Sequence, residues 1–214
     1  MANVIKLRKG LDVNLKGKAA KEEFQVKKPA VYALVPDDFT GMKPKVVVKE
    51  NDVVKVGDSL FVDKNHPEIK FVSPVSGRVT MVERGDRRKV LSVRVEADAE
   101  QQYVDFGKKN VGQMTAQEVK DLLLESGLFG FFRQRPYDVT ANPSDTPKAI
   151  FVSAFNSMPL AADFEYVLRG READFQAGLD ALAKMAKTYL GVSSKQTATA
   201  LTAAKNVEIN FFDG

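Results

Sequence analysis

The sequence predicts an α+β chain of two domains, an all-β barrel or sandwich followed by a parallel α/β sheet. Three observations predict it. Residues 26–97 are Val-rich, with short apolar runs broken by Gly, Pro, Asn and Asp, the pattern of a small all-β domain. Residues 115–212 alternate β-type runs with longer helical periodicity, the pattern of parallel strands joined by right-handed crossovers. The bridge between them, AEQQYVDFGKKNVGQM, is polar and carries two glycines, so the boundary falls near residue 100. The expected parts are an N-terminal extended segment over 1–25, a β domain over 26–100 and an α/β domain over 101–214.

In the β domain, strands are expected over 31–34, 45–48, 59–62, 68–72, 77–83 and 90–96. Glu50-Asn51-Asp52, Val56-Gly57-Asp58 and Arg84-Gly85-Asp86 separate them with residues that tolerate positive φ or bond their own backbone. Glu50-Asn51-Asp52 and Glu83-Arg84-Gly85-Asp86 each precede a strand, which predicts two similar units and a pseudo-symmetric sandwich. Asp37-Asp38, before Phe39-Thr40-Gly41, reads as a turn rather than a carboxylate pair.

The α/β domain opens on Thr115-Ala116-Gln117-Glu118, a capping box. Val119, Leu122, Leu123 and Leu124 give the following helix an apolar face, and Gly127 ends it. Lys148–Ser153 reads as a buried strand, and Asp174–Lys184 as a helix with Phe175, Leu179, Leu182 and Met185 inward. Thr188–Val192 is a short strand, Ser194–Ala204 a helix of small residues, and Val207–Phe212 a strand. The sequence stops just after that strand, where doubly wound folds build ligand sites, so a longer parent protein is expected.

Composition excludes several chemistries. Cys is absent, which removes disulfides, thiolate catalysis and iron–sulfur ligation within the chain. His66 is the single histidine; zinc would have carboxylates almost alone, and nothing near His66 suggests a Ser-His-Asp triad. Net charge is +4, and the densest basic run, Arg84, Arg87, Arg88 and Lys89, reads as a solvated turn rather than a nucleic-acid surface. No apolar run has the length of a signal peptide core or a membrane span, so membrane contact is expected only through partners. No catalytic, cofactor-binding or metal-ligating residues are assigned.

The stretch KVVVKENDVVKVGDSLFVDKNHPEIKFVSPVSGRV is similar to biotinyl/lipoyl carrier domains, on Gly57-Asp58, Asp63-Lys64 and Ser73-Pro74-Val75-Ser76-Gly77. The resemblance implies a barrel-sandwich hybrid. A carrier lysine needs the tip of a tight exposed hairpin, whereas Lys64 is followed by Asn65-His66-Pro67, and a Met-Lys-Met motif is missing. Lys64 is thus either a modified residue or an ordinary loop lysine.

IKLRKGLDVNLKG at the start, the SPVSGRV barrel motif, LLESGLFGFFRQRPYD, Ser144–Phe155 and Met158–Asp163 occur in the order found in the A subunits of sodium-translocating NADH:quinone reductases, and the chain resembles that family throughout. The resemblance implies a peripheral subunit on the cytoplasmic face of the bacterial inner membrane. The complex would oxidise NADH, reduce quinone and pump sodium. This chain would carry no cofactor and no catalysis of its own, with NADH, flavins and iron–sulfur centres on partner subunits.

The α/β domain further resembles the nucleotide-binding-like fold of the flavin subunit of complex I and of the Rnf-type electron-transport proteins. In those relatives a Gly-rich loop after Ser-Gly-Leu cradles phosphates. Here Ser126-Gly127-Leu128 leads instead into Phe129, Phe131, Phe132, Arg133 and Arg135, with only Gly130 small, so rings would fill the phosphate space. These five residues are candidates for a quinone pocket or a subunit interface, since rings stack on a quinone and guanidinium groups bond its carbonyls. The other reading is loop aromatics packed on the core, with surface arginines. Phe155-Asn156-Ser157-Met158-Pro159, after the first α/β strand, reads as a relic or an interface loop. The C-type electron-transport subunit of an Rnf complex and a lipoyl- or biotin-type carrier or adaptor remain the alternatives.

Overall fold

A computed structural model describes residues 3–8, 15–17, 20–158 and 160–214. Parts of the expected N-terminal segment, and Pro159 in the Met158-Pro159 motif, lie outside the described residues. In chain order the elements begin with β1 (Asn3–Lys6), β2 (Val31–Leu34), β3 (Pro44–Val46), β4 (Val53–Val54) and β5 (Ser59–Asp63). They continue through β6 (Lys70–Val72), β7 (Gly77–Arg84), β8 (Val90–Ala97), α1 (Ala116–Glu125), β9 (Arg133–Gln134) and β10 (Val139–Thr140). The last are β11 (Ile150–Ala154), α2 (Phe164–Leu168), α3 (Glu172–Met185), β12 (Thr188–Ser193), α4 (Thr199–Thr202) and β13 (Glu208–Asp213).

The chain divides into two compact units, Val26–Lys108 with Lys120–Thr146, and Met1–Gln25 with Lys109–Val119 and Pro147–Gly214. The division differs from the sequence expectation in three places, the first being that residues 101–108 stay with the β unit. Residues 3–6 of the N-terminal segment form a strand of the α/β unit. Residues 120–146 group with the β unit instead of the α/β domain.

The β unit holds two antiparallel sheets, ordered β2-β8-β7-β4 and β3-β5-β6. Leu60, Phe61, Ile69, Phe71, Val79, Val93 and Val95 fill its core at 2% exposure or less, each worth about 1.5–3 kcal/mol of burial. Repeated turn chemistry spaces the strands. The Lys49 N–H donates to the Asp52 carboxylate at 2.7 Å, and the Lys55 N–H to the Asp58 carboxylate at 2.6 Å.

The two halves of the carrier-like motif meet each other. The Gly57 N–H donates to the Ser73 carbonyl at 3.0 Å, and the Ser73 N–H to the Asp58 carbonyl at 2.8 Å. Buried Ser76 holds the following linker, donating to the Asp98 carboxylate at 3.1 Å and accepting from the Gln102 N–H at 2.9 Å. Gly77 is required by close approach, since a Cβ there would stand 1.8 Å from the Glu96 carbonyl oxygen.

The α/β unit is built on a four-stranded, all-parallel sheet in the order β1-β13-β12-β11. Strand β12 alternates buried Thr188, Leu190 and Val192 with half-buried residues. Leu190 and Val192 pack with Ala154, with Leu179 of α3 and with Leu201 of α4, and Phe164 and Leu168 of α2 lie against them. Leu179 is the most buried residue of α3, while Phe175, Leu182 and Met185 on the expected inward face are half-buried.

The expected helix over 194–204 is reduced to α4. Polar side chains hold the preceding backbone in a loop: Gln196 Oε1 accepts from the Thr197 and Ala198 N–H groups at 2.9 Å, and Ser193 Oγ from the Lys195 N–H at 3.2 Å.

Candidate functional site

The aromatic–basic segment begins where α1 stops. The Gly127 N–H closes on the Leu124 carbonyl at 3.3 Å, and Gly127 takes φ +76°, the left-handed conformation of a helix C-terminus. A Cβ at Gly127 would lie 2.6 Å from Val72 Cγ1 on β6. A Cβ at Gly130 would lie 2.8 Å from Phe71 Cε1 on the same strand. Both glycines therefore bring the backbone down onto barrel side chains.

Between and beyond them, the rings join a barrel cluster. Phe129 is 5% exposed and its ring lies 5.4 Å from that of Phe132. Phe131 meets Phe39 edge-on at 5.7 Å, Phe39 lies 4.4 Å from Phe71, and Phe71 stacks on Phe61 at 5.1 Å. Such pairs add about 0.5–1.5 kcal/mol each beyond their buried area.

The short antiparallel β9–β10 hairpin carries the arginines. It rests on the Asp37–Gly41 turn. The Thr140 N–H donates to the Thr40 carbonyl at 2.8 Å, and a Cβ at Gly41 would meet Val139 at 2.7 Å. Arg133 Nη2 donates to the Asp38 carbonyl at 2.9 Å. Arg135 turns outward beside Asp138, at 3.6 Å and largely exposed.

The five expected site residues are thus sorted by the fold. Phe129 is core and Phe132 is half-buried, Arg133 ties two turns together, and Phe131 and Arg135 stand on the surface. Two cavities, of about 370 and 440 Å³, open in the α/β unit and are lined by none of the five. Sequence reasoning missed the partners of this segment, Phe39, Phe71 and Val72. Their signal was alternation on β6 and an apolar residue inside a polar turn. It also missed Tyr137, 78% exposed at the hairpin tip.

The Lys64 loop is fastened at its base. The Asp63 carboxylate, 5% exposed, accepts from the Lys43 N–H at 3.2 Å and the Asn65 N–H at 3.0 Å. The Lys64 N–H donates to the Lys43 carbonyl at 2.7 Å. His66 lies 3.7 Å from Glu68.

Among the described residues, the titratable groups with displaced pKa values are held in their ordinary charged forms. Ser92 and Arg94 hold the Glu83 carboxyl low, Thr115 that of Glu118, Lys21 and the Tyr166 N–H that of Asp163, and the backbone that of Glu172. Asp163 raises Lys21, and Tyr189 with Glu208 raises Lys187. Each displacement moves the group away from neutral pH, opposite to the tuning of a general acid or base. Among the described residues, no group of three or more His, Asp and Glu gathers as a metal site, and no helix is long and apolar enough to cross a membrane.

Two family profiles match the chain in succession. The NqrA N-terminal barrel-sandwich hybrid domain covers residues 5–98, and the NqrA second alpha/beta domain covers residues 114–214. The chain belongs to the NqrA family. Similar relatives are named as the A subunit of the Na(+)-translocating NADH-quinone reductase. One from Pseudomonas aeruginosa (strain UCBPP-PA14) is 35% identical over 190 residues, 87% of this chain and 42% of that protein. One from Yersinia pseudotuberculosis serotype O:1b is 34% identical over 217 residues, 99% of this chain and 48% of that protein. One from Serratia proteamaculans is 37% identical over 186 residues, 85% of this chain and 41% of that protein. The chain therefore spans less than half the length of these NqrA relatives. The β unit is the barrel-sandwich hybrid of the NqrA family.

A flavin is the cofactor that resemblance to complex I would bring, with its phosphate on the segment after Ser126-Gly127-Leu128, and the two glycines of that segment do not offer it an open cradle. A phosphate cradle needs glycine backbone left open to the ligand. In this NqrA chain the space beside Gly127 and Gly130 is taken by Val72 and Phe71.

Proposed function

We propose that the chain serves as a cofactor-free, peripheral part of a membrane respiratory complex that oxidises NADH, reduces quinone and pumps sodium. It would work on the cytoplasmic face of the bacterial inner membrane. Flavins, iron–sulfur centres and the NADH site would belong to partner subunits. Membership of the NqrA family supports this reading. The observation that carries it is the closure of the segment after Ser126-Gly127-Leu128 onto the barrel, which leaves its glycines no phosphate to meet.

Within the complex, the segment acts as a docking surface in preference to a quinone pocket. A bound quinone would be enclosed over most of its surface. Phe131, 67% exposed, and outward Arg135 lie open, as interface residues do before a partner covers them.

The test is capture of the tagged chain from detergent-solubilised membranes of a host that carries the complex. Sodium-stimulated NADH:quinone activity and flavoproteins should copurify. Recovery of a solitary chain would refute the reading. Intact mass then decides the carrier alternative, since a lipoyl or biotinyl group on Lys64 adds a fixed increment.

A further inference from the structure

The parallel sheet of the α/β unit is covered on one face only by the elements of that unit. Side chains alternate across a strand, so Val152, Leu190 and Ile209 share one face and Phe151, Tyr189 and Glu208 the other. Helices α2, α3 and α4 contribute Phe164, Leu168, Leu179 and Leu201 to the first face. On the second face no described residue of the three long strands is buried. Phe151 is 76% exposed and stacks on Tyr189 at 5.3 Å. Phe155 stacks on Phe212 at 5.4 Å. Between these pairs lies exposed Ser153, beside Gly191, which the Phe212 ring covers, its Cε2 3.0 Å from where a Cβ would stand.

An all-parallel sheet occurs almost only with both faces covered, because its crossovers lay helices on them. The steps from β11 to β12 to β13 move one way along the sheet, with their helices on the first face. A right-handed crossover moving the opposite way lays its helix on the second face. NqrA relatives hold more than half of their length outside the region matched here, which supplies chain for such a helix. We propose that the Phe151–Tyr189 face is the seat of an amphipathic helix from that remaining part of the NqrA chain, its apolar stripe laid on the two aromatic pairs. The proposal rests on membership of the family and not on the respiratory role.

The chain has no cysteine, so Ser153→Cys gives one thiol in the middle of this face. Its reaction with a maleimide dye is compared with that of a cysteine at the aligned position of the full-length Pseudomonas aeruginosa relative, its other cysteines removed. A cysteine replacing exposed Glu100 on the barrel unit is the reference in both proteins. Relative to that reference, the face should react about tenfold or more slowly in the full-length protein, as a site covered by stable structure does. Equal rates would overturn the proposal. So would protection that appears in the short chain alone and grows with its concentration, because a second copy would then be the occupant. Phe151→Cys repeats the comparison at a second exposed position should Ser153→Cys disturb folding. Neither outcome depends on electron-transfer activity, so failure here is separate from failure of the respiratory reading.

Discussion

Gly127 and Phe129 carry opposite halves of one packing event. Gly127 lets the chain leave α1 close to Val72, and Phe129 buries its ring two residues further on. Gly127→Ala should cost about 2–4 kcal/mol, from the left-handed backbone and the collision together. Phe129→Ala should cost about 3–5 kcal/mol, as loss of a buried ring does. Phe131→Ala and Arg135→Ala, on the surface, should each stay within about 1 kcal/mol. Urea unfolding of the four variants measures this. A Phe131→Ala loss as large as that of Phe129→Ala would make the whole segment core and leave no ring for docking.

Asp163 offers a pH test on a single residue. Its carboxylate caps α2, accepting from the Glu165 N–H at 3.1 Å and the Tyr166 N–H at 3.3 Å, and pairs with Lys21 at 3.0 Å. Lys21 and the cap hold its pKa below the unfolded value. Its stabilisation is therefore complete above about pH 4 and is lost as pH falls through the lowered folded value. Amide exchange over α2 should accelerate across that acid range in the natural chain and show no such step in Asp163→Asn. The composition of the site segment was legible residue by residue, five aromatics and arginines after Ser-Gly-Leu. Its burial was not, because Val72 and Phe71 lie far away in sequence.

Among the elements, α1 has the clearest local cause. The Glu118 N–H donates to Thr115 Oγ1 at 3.3 Å, and the Glu118 carboxylate accepts from the Thr115 N–H at 2.7 Å. Thr115→Ala should cost about 1 kcal/mol and Thr115→Ser much less, measured by thermal or urea unfolding. Equal losses would mean that the methyl group, not the cap, matters. Most strands were legible because turn residues and alternation are local signals; β2 runs over the expected 31–34 and β5 extends the expected 59–62 by one residue. β1 was illegible as a strand because its register, Val4 beside Phe211 and Ile5 beside Phe212, joins the two ends of the chain. α4 was over-read because small residues suit a helix while Gln196 and Ser193 hold the loop before it. The same non-local logic moved residues 120–146 into the β unit, where Gly127, Gly130 and Val139 make their contacts.

At the scale of the whole molecule, several basic side chains are paired across the fold. Lys89 pairs with Asp37, Lys21 with Asp163, Lys187 with Glu208 and Arg94 with Glu83. The net +4 is thus spread over both units, unlike the clustered stripe that binds nucleic acid. The remaining question at this scale is whether the chain retains a nucleotide on the segment after α1. A flavin phosphate would need open backbone at a close-approach loop. The Gly127 N–H is given to the Leu124 carbonyl, and the Cβ side of Gly127 and of Gly130 faces Val72 and Phe71. The full chain, incubated with excess FMN and passed through a desalting column, should emerge with far less than one flavin per chain by absorbance. Gly130→Ala sharpens the outcome. If packing is the use of that glycine, the variant loses stability, by about 1–3 kcal/mol for an overpacked contact with Phe71, and flavin retention stays at background. Retention of one flavin per chain, abolished by Gly130→Ala with stability unchanged, would show a working phosphate cradle and overturn the cofactor-free reading.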